Sequence, residues 1–116
     1  SAIAALRRQL RELGEAFASR TGRGAAMMIA AAQNDSELAK VFRIHFVMKS
    51  REEGRTLLQR AMAEGELRRG FDLETALDLI YAPFYFRLLI GHAPLAARDT
   101  DAILDLALSG LARKNR

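Results

Sequence analysis

The chain has no cysteine and no tryptophan, only two prolines and two histidines, and no long apolar run. Without cysteine there are no disulfides, no thiolate metal sites and no cysteine nucleophile, and nothing calls for an oxidising compartment. His45 and His92 are the only histidines and neither has a second soft ligand beside it, so no metal site is expected. No serine or glycine-rich loop forms a nucleophile or phosphate-cradling arrangement, and Asp99 and Asp101 read as partners of a helix dipole, not as a catalytic pair. No catalytic residue and no cofactor are therefore expected. No segment approaches the roughly 18 to 20 apolar residues of a membrane span, and the N-terminal stretch lacks a signal peptide's apolar centre and cleavage site. These absences predict a soluble, cytoplasmic protein without a membrane partner.

What is present is 116 residues, half of them hydrophobic and 28% charged, enough for one domain over residues 1–116 with one core. Eighteen basic against fourteen acidic residues give a net charge of +4, a balance that suits nucleic acid. The arginines, however, fall in "LRRQLRE", "ELRRG" and "ARKNR", at helix ends or on faces mixed with glutamate, and no aromatic or glycine-rich RNA-binding pattern interleaves them. Solvated helix faces account for the charge.

No segment alternates as a strand does, and helical spacing recurs throughout, which predicts an all-α bundle domain of five or six helices. Ile3, Leu6, Leu10, Leu13 and Phe17 mark an amphipathic helix that opens already in phase, as though the chain continued a longer protein. Two glycines in "RTGRG" break the pattern, and "AAMMIAAAQ", nearly free of charge, predicts a central buried helix. Asp35 is the expected N-cap of a long helix running to about Glu64. Its apolar stripe is Leu38, Val41, Phe42, His45 and Met48, and Gly54 in its polar middle is the place expected for a bend. Asp72 is the next N-cap, with Phe71 as a hydrophobic staple, and Gly91 and Pro94 end that helix. The acids of "RDTD" launch the last helix, to about Ala112.

The segment "YAPFYFRLLIGHAPL" carries both tyrosines and two of the six phenylalanines. At 100° per residue, Leu73, Leu77, Ile80, Phe84 and Leu88 line one face of its helix, while Leu79, Ala82, Phe86, Leu89 and Ile90 cover the opposite one. A helix apolar all round must be buried on both sides. In the last helix Leu104, Leu108 and Leu111 form one stripe, and Ile103, Ala107 and Gly110 form a second. Two consecutive helices thus carry spare apolar faces, and pairing across a two-fold axis to make a four-helix bundle is the economical cover. The expected dimer interface is Leu79, Ala82, Phe86, Leu89, Ile90, Ile103, Ala107 and Gly110. Pro83 is either a kink that opens space or a tolerated irregularity.

Arg60, Ala61, Gly65, Glu66, Leu67, Pro83, Tyr85, Arg87, Leu88 and Leu89 carry a resemblance to the C-terminal domain of TetR/AcrR-type transcriptional regulators. In that family a long helix ends in an R-A-x-x-x-G-E-L pattern and a G-P-x-Y-Y-R-L-L segment precedes a short loop. Ala82 and Phe86 depart from the second pattern, Ala96 stands where an acid often opens the last helix, and His45 takes an arginine-like position. The resemblance implies an effector-binding and dimerisation domain, a homodimer built on the last two helices, and DNA contact only through an N-terminal helix-turn-helix domain absent from this chain. It also implies a small hydrophobic effector held among the earlier helices. Phe17, Met27, Met28, Phe42, His45, Phe46 and Tyr81 are the candidate lining, because methionines and aromatics with a few polar tips suit an apolar ligand. Each of these is equally at home in a plain core. The alternative function is a helical homodimer that binds another protein and no small molecule.

Overall fold

The computed structural model describes residues 1–31 and 36–111. Among them lie six α-helices, α1 (Ala2–Phe17), α2 (Arg20–Ala31), α3 (Glu37–Phe42), α4 (Met48–Ala63), α5 (Leu73–Ile90) and α6 (Ala97–Leu111), with a π-helical turn over Arg43–Val47 joining α3 to α4. There is no strand among the described residues. The body is elongated, 48 × 28 × 19 Å. The N-cap expected at Asp35 and the last helix's end at Ala112 lie outside the described residues.

The centre belongs to α1 and α5. α1 buries Ala2, Leu6, Leu10, Gly14 and Phe17, residues spaced three or four apart on one stripe, and packs against α2, α4, α5 and α6. From α5, Leu77, Ile80 and Phe84 are fully buried, with Leu73 and Leu88 packed at the margin. This is the inner face that the helical spacing predicts. The expectation that "AAMMIAAAQ" is central is not met: α2 buries only Gly22 and Ala25, and Met27 is 73% exposed. Absence of charge in that stretch reflects small residues, which have too little apolar area to compete with leucine-rich α1 for the core.

Three local expectations are also corrected. The glycines of "RTGRG" do not break the chain, since both lie within α2, and the break falls earlier, at Ala18 and Ser19. Gly22 is required by contact, because a Cβ there would overlap the Phe17 carbonyl. The apolar stripe Leu38, Val41, Phe42, His45 and Met48 divides. α3 buries Ala39 and Phe42 and exposes Leu38 and Val41; His45 and Met48 are exposed too, in and just after a wider π turn that shifts the phase of the residues following it. The irregularity in this long rod is that turn, and α4 runs unbroken through Gly54. A Cβ at Gly54 would strike the Tyr81 hydroxyl and ring, so glycine here permits a close helix approach and not a bend.

The ends of the helices use short-range chemistry. At the end of α4, Gly65 takes φ +78, its N–H donates to the Met62 carbonyl at 3.2 Å and the Glu66 N–H donates to the Ala61 carbonyl at 2.9 Å. That is a Schellman closure. It places Leu67 in the core and lets the Glu66 carboxylate accept from the Ala2 N–H at 3.1 Å, capping the first turn of α1 together with Ser1, whose Oγ accepts from the Ala4 N–H. Asp72 is the N-cap of α5 by position, but its carboxylate accepts from the Thr75 hydroxyl and makes no bond to the helix backbone. α5 continues through Pro83 and ends at left-handed Gly91, as expected. Asp99 accepts from the Ala96 N–H at 3.0 Å and so completes the start of α6.

Ion pairs lock the outer layer. Arg7 and Arg11 of α1 reach Asp101 and Asp105 of α6, and Arg51 and Arg55 of α4 reach Glu74 of α5, Arg51 also reaching Asp78 at 2.7 Å. The Arg55 and Arg51 guanidiniums push the Glu74 carboxyl down to about 2, from 4.5.

Two outcomes are expected. Gly54→Ala lowers unfolding stability by about 1 to 3 kcal/mol, because overlap with the hydrogen-bonded Tyr81 ring outweighs the helix-propensity gain. Gly24→Ala, where a Cβ meets open space, raises it by up to about 1 kcal/mol; urea unfolding of both variants measures the contrast. Second, a carboxyl depressed in the folded state contributes stability that is complete above its unfolded value and lost as pH falls through the folded one. The melting-temperature gap between wild type and Glu74→Gln should therefore be widest above about pH 4.5 and close towards pH 2, with salt narrowing it because the pair is exposed.

Candidate functional site

Tyr81 and Tyr85 stand one turn apart on α5 and meet opposite conditions. The Tyr81 hydroxyl donates to Gln9 Oε1 at 2.5 Å, and Gln9 Nε2 in turn donates to the Ser50 carbonyl at 3.0 Å and the Glu53 carboxylate at 3.3 Å. One amide thereby joins α1, α4 and α5. Burial raises the Tyr81 pKa above the ordinary phenol range, with the Gln9 bond opposing it. The Tyr85 hydroxyl is buried with no hydrogen-bond partner, and burial pushes it up to about 12. Both phenols are neutral at ordinary pH.

Around Tyr85 the aromatic side chains gather. Phe17, at the end of α1, meets the Tyr85 ring edge-on with centroids 5.2 Å apart, and stacks on Phe46 at 6.1 Å. Phe46 stacks in turn on Phe42 at 5.2 Å. The π turn is what allows this, since it carries Phe46 while Phe42 closes α3, and such turns commonly occur at functional sites.

Two clefts flank the cluster. The larger, about 450 Å³, lies between the α1–α2 junction and the α5–α6 loop and is lined by Phe17, Gly22, Ala26, Leu88 and Leu95 among others. The smaller, about 300 Å³, lies between α4 and α5 and is lined by Val47, Arg51, Asp78, Tyr81, Ala82 and Tyr85. Both lie at or just above the lower limit of ligand-site volumes. The lining of both clefts is mainly apolar: Arg51 is held by Asp78 and Glu74 and Arg87 by the Pro94 carbonyl and Asp99, while Glu15 and Arg23 also border the larger cleft. Such walls favour an uncharged, largely apolar ligand over an ion. No group of acidic residues or histidines able to hold a metal occurs among the described residues.

Of the residues expected to line a ligand site, Phe17, Phe42 and Phe46 come together in the ring cluster, and Tyr81 borders the smaller cleft. Met28 is half-buried on α2, while Met27 and His45 are exposed and line neither cleft. The unpartnered Tyr85 was not among the candidates, nor was Gln9. Spacing four from Tyr81 points to Tyr85, but nothing local points to Gln9. On the outer side Leu79, Ala82, Phe86, Leu89 and Ile90 are exposed, Phe86 at 58% and Ile90 at 62%, as is Gly110, while Ile103 and Ala107 are partly covered by their own core. Leu106, three residues from Ile103 and four from Gly110, is 76% exposed and shares their face, an addition to the expected set.

Among the described residues the body is helical and strandless, with apolar clefts around an aromatic cluster. Residues 1–107 match the tetracyclin repressor-like C-terminal domain family, and the chain belongs to that family. Over 78 residues, 67% of the chain, it is 38% identical to the uncharacterized HTH-type transcriptional regulator YdeS of Bacillus subtilis (strain 168). The match spans 39% of that relative's length. No helix among the described residues is long and apolar enough to cross a membrane.

The two tyrosines should respond oppositely to loss of the hydroxyl. Tyr85→Phe removes an unsatisfied buried group and raises unfolding stability by about 1 kcal/mol or more, whereas Tyr81→Phe breaks a satisfied network and lowers it by about 1 kcal/mol. Chemical unfolding at neutral pH measures both.

Proposed function

We propose that this chain is the effector-binding and dimerisation part of a TetR-like transcriptional regulator that works in the cytoplasm. It contacts DNA only through an N-terminal helix-turn-helix domain outside this chain. The observation that carries the reading is the outward face of α5: Leu79, Phe86, Leu89 and Ile90 are each about half exposed or more, and Leu106 of α6 extends the patch. Leaving that much apolar surface in water costs about 25 cal/mol per Å², and contiguous patches of this kind mark interaction surfaces. A second copy is the fitting cover. α5 and α6 are consecutive and pack together, so a two-fold axis beside them brings four helices into one bundle. Obligate dimers of this sort bury on the order of 2,000 Å² or more.

A small uncharged effector held in the clefts beside the Phe17–Tyr85 contact would bear on α5 from the inside while the partner bears on it from the outside. The same helix thus couples ligand to dimer geometry. Effector binding shifts the population between two separations of the DNA-reading heads, and only to the degree that it prefers one of them.

Phe86→Glu is expected to convert a dimer into a monomer at micromolar concentration without loss of helix content, because the side chain is exposed in the single chain. Sedimentation velocity and far-ultraviolet circular dichroism read the two quantities. A wild-type chain that sediments as a folded monomer at that concentration overturns the dimer reading.

A further inference from the structure

The Phe17–Tyr85 ring contact separates the two clefts: Phe17 lines the larger, Tyr85 lines the smaller, and the rings touch. The Tyr85 hydroxyl at this partition is buried and has no partner, a state that costs free energy in the chain as it stands. Its neighbour one turn earlier shows what satisfaction looks like here, with Gln9 supplying the acceptor. No described side chain supplies one to Tyr85. A cleft lies on each side of the ring pair. The rings also stack towards Phe46 in the π turn, the least regular stretch of the wall. The lining of both clefts is mainly apolar, and the Arg51 and Asp78 charges of the smaller one are paired with each other.

We infer that the two clefts are halves of one binding site, joined when the Phe17–Tyr85 contact opens. Its ligand class is uncharged molecules with two apolar, ring-sized halves and a hydrogen-bond acceptor between them, the acceptor taking the Tyr85 hydroxyl proton in a hydrogen bond. The inference rests on the effector reading above and specifies its chemistry. Each half of the ligand occupies one cleft, and the central acceptor meets the hydroxyl that has no other partner. A ligand confined to one cleft would leave that hydroxyl unsatisfied and gain nothing from an acceptor. A charged ligand would lose hydration against walls that are mainly apolar.

Benzophenone and diphenylmethane are suitable probes, two rings joined by a carbonyl or by a methylene of similar shape. Titration of the full chain, followed by calorimetry or by the rise in melting temperature, should show benzophenone bound roughly tenfold more tightly, the size of one hydrogen bond. Tyr85→Phe should abolish the preference, bringing benzophenone affinity down to that of diphenylmethane. Irradiation of bound benzophenone, which cross-links through its central carbonyl, should label residues beside the Phe17–Tyr85 contact, as read by mass spectrometry of digests. Equal affinity for the two probes, a preference that survives in Tyr85→Phe, or labelling away from that contact overturns the joined site while leaving an effector reading in place. Failure of either probe to bind at its solubility limit overturns the joined site as well. The effector reading itself falls only if apolar compounds of every size and polarity also leave the dimer's melting temperature unmoved.

Discussion

Burying the Tyr81 hydroxyl is the condition on which the arrangement of the three core helices depends. A phenol in the interior must find both an acceptor and room for its ring. Gln9 on α1 provides the acceptor and Gly54 on α4 provides the room. Neither residue can be shifted along its helix without losing the fit, so α1, α4 and α5 are held in one register. Gln9 spends its two Nε2 hydrogens on the Ser50 carbonyl and Glu53, which holds the amide in the orientation that presents Oε1 to Tyr81.

With α5 fixed at Tyr81, everything one turn further along is fixed as well. Tyr85 is placed against Phe17, and its hydroxyl has no hydrogen-bond partner among the described residues. The contrast between neighbouring tyrosines is informative, since both lie on one helix face, Tyr81 buried and Tyr85 half-buried, and only the Tyr81 hydroxyl has a partner. Evenly packed cores do not leave a hydroxyl in that condition without compensation. The surrounding rings, the π turn and the clefts on either side give this part of the molecule the means to change, whereas the Tyr81 network, the Schellman closure at Gly65 and the α1–α6 ion pairs hold the rest still.

α5 is also the helix on which the two proposed activities meet. Its inner residues Leu77, Ile80 and Phe84 are fully buried and its outer residues Leu79, Phe86 and Ile90 are open, and helical geometry sets these faces on opposite sides of a rod about 10 Å across. A ligand pressing from the inside and a twin chain pressing from the outside share one rigid element, which is the shortest route by which occupancy can alter the geometry of a pair.

Helical class, the ends at Gly65 and Gly91, the inner stripe of α5 and its surplus of apolar area were all legible in the chain, because each depends on residues within a turn or two of one another. The place of α2 was not, since low charge does not reveal how much area small side chains can offer in competition with leucines elsewhere. Gly54 was misread for a related reason: propensity speaks of the helix that contains a glycine, and the need for it came from a ring on another helix. The aromatic candidates were found by type, yet which of them meet, and which hydroxyl is satisfied, depended on partners as far as 72 residues apart. Local periodicity by itself determined what the elements are and which faces must be covered. Only packing decided which atoms touch, because a hydrogen-bond acceptor and the space beside it are supplied by whichever helix arrives, and no spacing along the chain encodes that meeting.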